Sequence, residues 1–131
     1  MLEQEGIDIN HRDNYDGRTA LHCAAEYAEN SECLALLLAR PEVTSQMINM
    51  KDRDGRTPLW SAVFGRAPDC VQMFINDDRT EPNIKDAYGN SPLMVAIKYN
   101  VVDCAALLLP HPRVDLMTRD AYRRSGEEVK R

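Results

Sequence analysis

The sequence has no apolar run long enough to cross a bilayer. Its longest, Cys33–Ala39, falls far short of the roughly 18 residues that a spanning helix needs. No basic stretch followed by a hydrophobic one opens the chain, so no secretory signal is visible. Excess positive charge is missing too: a net charge of −5 gives no general attraction to nucleic acid or to an anionic membrane. The four cysteines, Cys23, Cys33, Cys70 and Cys104, form no C-x-x-C pair and have no H-x-x-x-H partner, which argues against zinc. The glycines are isolated, so no phosphate-binding loop is present. A nucleophile elbow, an H-E-x-x-H motif and a calcium loop of D-x-D-x-D-G type are also lacking. The three histidines, His11, His22 and His111, are scattered over different local contexts. These absences predict a non-enzyme without catalytic residues, metal or cofactor.

What the chain does have is the composition of a folded domain, with 44% hydrophobic and 28% charged residues among 131. It also repeats itself. Asn14–Ala25 reads NYDGRTALHCAA, Asp52–Val63 reads DRDGRTPLWSAV, and Asp86–Ile97 reads DAYGNSPLMVAI. Aligned on the hydroxyl residue after the turn, Thr19, Thr57, Ser91 and Ser125 are separated by 38, 34 and 34 residues.

Each unit carries its own folding instructions. Gly17, Gly55 and Gly89 allow a tight turn. Thr57 and Ser91 are placed to cap a helix, and Pro58 and Pro92 suit its first position, where the first unit has Ala20. Leu21/Ala24/Ala25, Leu59/Ala62/Val63 and Leu93/Ala96/Ile97 follow at helical spacing. A second helix repeats one apolar pattern: Cys33/Leu34/Leu37/Leu38, Cys70/Val71/Phe74/Ile75 and Cys104/Ala105/Leu108/Leu109. This register predicts all four cysteines to be small core residues, in keeping with a reducing compartment. Extra residues between Arg40 and Asp52 are expected to be absorbed by a loop. Asp16, Asp52, Asp54 and Asp86 fall where turns favour aspartate.

The period and the near-complete T-P-L-H-x-A signature resemble the ankyrin repeat, whose period is about 33. The resemblance covers almost the whole chain and implies an all-α solenoid of helix–turn–helix units with β-hairpin-like connecting loops. The expected divisions are 1–13 as the tail of a preceding repeat, repeats at 14–51, 52–85 and 86–119, and the start of a further or capping repeat at 120–131. Ser125 and Glu128 would form a capping box there. Tyr122–Ser125, YRRS, is also similar to a basic kinase-substrate site, a role weighed below capping. Both ends would then cut through a repeat, as in the interior of a longer array.

The family uses its turn tips and first helices as a concave recognition surface. Carried over by register, that surface comprises Tyr15, Arg18, Tyr27, Arg53, Arg56, Trp60, Phe64, Tyr88, Asn90, Lys98 and Tyr99. Tyrosine and arginine are enriched at binding hot spots. His22 occupies the histidine of the signature, whose family role is structural hydrogen bonding near the turn. Trp60 replaces that histidine, and either fills space between repeats or presents its ring. Phe64 is either a contact residue or packed against Tyr27 or Tyr99. The resemblance implies a protein-interaction module, a scaffold or adaptor segment that binds another protein or a peptide. The mixed turn charges suit a partner with acidic and apolar residues. The alternative is an intramolecular regulatory segment of a larger enzyme or channel. No nucleic-acid or membrane partner is expected. The segment is expected to be monomeric and intracellular, with the cytoplasm ranked before the nucleus.

Overall fold

The computed structural model describes residues 11–13, 15–27 and 31–116. The anticipated loop before His11 and the capping box at Ser125 and Glu128 lie outside them. Among the described residues there are seven helices and no strand. They are α1 (Ala20–Glu26), α2 (Ser31–Leu38), α3 (Ser45–Ile48), α4 (Pro58–Phe64), α5 (Pro68–Ile75), α6 (Pro92–Lys98) and α7 (Val102–Leu108). Apart from α3, they pair as a first and a second helix, α1/α2, α4/α5 and α6/α7, and successive pairs pack side by side.

The caps form as the sequence dictates. The hydroxyls of Thr19, Thr57 and Ser91 accept the N–H groups of His22, Trp60 and Met94. Proline opens α4, α5 and α6, where the missing donor has no partner to lose. Between first and second helix the chain turns through a left-handed residue, Arg66 at φ 58° and Asn100 at φ 57°.

The turns before the first helices are closed by hairpin-like bonds, Asp52 N–H to Arg56 C=O and Asp86 N–H to Asn90 C=O, both 2.9 Å. Each turn also docks on the next, Arg53 N–H to Asp16 C=O at 2.7 Å and Ala87 N–H to Asp54 C=O at 2.8 Å. Asp13, Asp52 and Asp86 each fold a carboxylate oxygen over backbone N–H groups of their own turn. Asp16 and Asp54 instead lend their carbonyls to the stacking of turns.

Burial follows the stack. The middle unit has neighbours on both sides, and Cys70, Val71, Phe74 and Ile75 are all buried. In α2 only Leu34 is fully buried. Leu37 and Leu38 are half-buried and Cys33 is exposed, because α5 covers one flank only. The expected core roles of Cys33 and Cys23 are therefore corrected: both thiols are exposed. Cys23 has the register position of Ser61 and Val95, which are buried because a preceding first helix covers them. At the other end Ile97, equivalent to buried Ala25 and Val63, is exposed, as is Leu109. No described helix follows to cover them.

The Arg40–Asp52 insertion is not a plain loop. Thr44 caps the one-turn α3, which sends Ile48 into the core beside Val43. Two side-chain ladders fasten this edge. Asn49 donates to Arg79 C=O and accepts Glu81 N–H, while Asn83 donates to Arg113 C=O and accepts Asp115 N–H. Arg79 reaches the carbonyls of Leu38 and Val43, and Arg113 those of Ile75, Asp77 and Thr80.

Candidate functional site

His22 and Trp60 hold one register position, and both reach forward to the next turn. His22 is fully buried; its Nδ1 faces Thr19 at 3.0–3.1 Å and its Nε2 lies 2.8 Å from Arg56 C=O. Since that carbonyl can only accept, Nε2 carries the proton. Burial holds the imidazole below the ordinary histidine pKa, against the pull of the Arg56 carbonyl. Trp60 donates its indole N–H to the buried Asp86 carboxylate at 2.9 Å. Trp60 is only 7% exposed and forms a floor beneath the more exposed rings, lining the same groove as they do. Family register had left open whether it fills space or presents its ring.

On that floor stands an aromatic cluster. Phe64, one helical turn on, stacks on Trp60 with ring centroids 5.1 Å apart. Tyr99, at the end of α6, meets Phe64 edge-on at 5.7 Å. Phe64 thus packs against Tyr99 yet remains 46% exposed, as does Tyr99 itself. Arg56 lies over the Trp60 ring at 5.0 Å and is held by Asp52 at 3.0 Å and Asp54 at 2.7 Å. Lys98 stands 5.9 Å over the Tyr99 ring. With Asp54, Asp86, Tyr88 and Asn90 these side chains line an open groove of about 470 Å³.

The remaining predicted contact residues lie apart from this groove. Arg18 is tied to Glu26 at 2.5 Å and to His22 C=O at 3.2 Å. Arg53 donates to Tyr15 C=O, while the Tyr15 and Tyr27 rings are exposed. The reason lies in one register position, occupied by Glu26, Phe64 and Lys98 in turn. Only the second unit places an aromatic ring there.

No group of three or more histidine, cysteine or acidic side chains suited to a metal occurs among the described residues. None of the described helices is long and apolar enough to cross a membrane. Burial raises the Cys70 and Cys104 thiols to about 11, which leaves them unreactive at neutral pH.

Comparison with known proteins agrees with this architecture. Residues 43–120 match a family model described as ankyrin repeats in three copies, and residues 1–38 match one described as ankyrin repeats in many copies. Among curated proteins, the chain is similar to neurogenic locus notch homolog protein 1 of Homo sapiens, with 32% identity over 77 residues, 59% of this chain. It is also similar to the Danio rerio protein of that name, with 33% identity over 76 residues, 58% of this chain. In both cases it spans only 3% of the relative's length. Ankyrin repeats generally mediate protein–protein interaction and are generally not catalytic. Repeat period, helix pairs, stacked turns and family match lead to one conclusion: the chain belongs to the ankyrin-repeat family.

Proposed function

We infer that this chain is a scaffold or adaptor segment that captures a partner protein in the groove between its second and third helix pairs. The observation that carries this reading is the pair Phe64 and Tyr99, two rings nearly half exposed and held in place by contact with each other. Trp60 beneath them is fixed by its bond to Asp86. A preformed surface loses little side-chain entropy on binding, and rigid aromatic anchors make effective hot spots. An intracellular setting belongs to the same reading: two exposed thiols suit a reducing compartment.

The test is affinity capture from cell lysate, comparing the chain with its Phe64→Ser/Tyr99→Ser variant. The wild type should retain proteins that the variant does not, with unchanged helical circular dichroism. Equal retention by both would contradict the assignment.

A further inference from the structure

We propose that the groove takes an acidic peptide segment, one presenting an apolar side chain flanked by carboxylates. This rests on the groove being the binding site, as inferred above, and adds the chemistry of the occupant.

Charge on this face is sorted by partner. The carboxylates at and beside the groove each have a partner within the protein. Asp52 accepts the backbone N–H groups of Asp54 and Arg56 and pairs with the Arg56 guanidinium. Asp54 pairs with Arg56. Asp86 accepts the Trp60 indole and the N–H groups of Tyr88 and Asn90. The Lys98 cation lining the groove is not so engaged. Lys98 is exposed and has no ion pair among the described residues; its ammonium only overlies Tyr99. The charge left without an opposite partner beside the exposed rings is therefore the positive one of Lys98.

A cationic guest fits poorly. The Trp60 ring has Phe64 stacked on it and Arg56 over it, and Tyr99 carries Lys98. At the Trp60 and Tyr99 rings an incoming ammonium would have to displace a resident cation and then sit beside it. The outer helices present the opposite sign, since Glu32, Asp69 and Asp103 open α2, α5 and α7. Those helices carry no Lys or Arg of their own to attract an acidic segment, whereas the groove offers Lys98. Its apolar side chain would cover the open faces of Phe64 and Tyr99 while a carboxylate meets Lys98.

A random dodecapeptide library displayed on phage, selected against the full 131-residue chain, tests this without knowledge of the natural partner. Recovered peptides should carry Asp or Glu beside a large apolar residue. Measured with fluorescein-labelled synthetic copies, their binding should weaken by about fivefold or more in Lys98→Glu, a change of about 1 kcal/mol. It should vanish in Phe64→Ser/Tyr99→Ser. Lys98 is exposed, so its substitution leaves the fold intact, as circular dichroism would verify. Recovered peptides that need Phe64 and Tyr99 but are basic or uncharged would overturn the acidic assignment and leave the groove as the binding site. Peptides indifferent to both rings would remove the groove reading as well.

Discussion

The indole N–H of Trp60 bonds the Asp86 carboxylate at 2.9 Å, joining the first helix of one unit to the turn that opens the next. The same carboxylate accepts two N–H groups of its own turn, so one buried aspartate closes a hairpin and fastens it to its neighbour. Stability in a repeat stack is roughly a sum of unit and interface terms. This bond belongs to the interface and also fixes the floor of the groove.

Trp60→Phe should therefore destabilise the chain by about 1.5–3 kcal/mol, the range for a hydrogen bond to a charged group. Urea denaturation followed by circular dichroism measures it. A loss under about 0.5 kcal/mol would show that the bond does not hold the interface.

His22 makes stability depend on pH. Its folded pKa lies below the ordinary 6.5, so the unfolded chain takes up the proton first. The stabilisation is complete above about pH 6.5 and is lost as pH falls from there toward the folded pKa. The melting temperature should fall more steeply between about pH 7.5 and 5.5 in the wild type than in His22→Gln. Parallel slopes would contradict the burial of a neutral imidazole.

Three glycines predict a graded series. A Cβ on Gly65 would stand 1.8 Å from Glu26 C=O, where α4 ends against α1, so Gly65→Ala should cost about 3 kcal/mol or more. Gly55 and Gly89 share a left-handed φ, 78° and 86°, and differ in space. A Cβ on Gly55 meets Ala87 N at 2.8 Å, whereas one on Gly89 meets nothing within 4 Å. Gly89→Ala should cost only the backbone strain, about 1–2 kcal/mol, and Gly55→Ala more. Equal thermal shifts for these two would refute the turn-on-turn contact.

The cysteines divide by accessibility. Native protein treated with a thiol-reactive chromophore should react rapidly at Cys23 and Cys33, and at Cys70 and Cys104 only on unfolding. Mass spectrometry of the labelled peptides identifies the sites, and rapid labelling of Cys104 would contradict its burial.

That division marks where the sequence stopped being informative. Turn, cap and first helix are encoded locally, by glycine, a hydroxyl residue and proline within a few positions, and they form where those residues stand. Burial in a stack depends on whether a neighbour lies on each side, which one unit's pattern does not encode. Cys33 and Leu109 follow the same apolar register as Cys70 and Ile75, yet both are exposed at the flanks of the described stack. The helix within the insertion had a visible cue in Thr44, an N-cap residue before Ser45. The arginine and asparagine ladders also had one, since Arg79 and Arg113, like Asn49 and Asn83, lie 34 residues apart. Gly65 had none, because its register equivalents are Tyr27 and Tyr99. Of the residues that register offered, the structure brings Arg56, Trp60, Phe64, Tyr88, Asn90, Lys98 and Tyr99 to one groove. Register could not tell that Trp60 would form its floor, which depends on the Asp86 bond.

The groove itself is most directly tested by two-dimensional NMR of the isotope-labelled chain, titrated with a peptide recovered from the library. Trp60 is the sole tryptophan, so its indole N–H gives a single signal from the groove floor. Binding should shift that signal together with the amides of Phe64, Lys98 and Tyr99. Shifts confined to the outer helices α5 and α7, with the indole signal unmoved, would contradict the account.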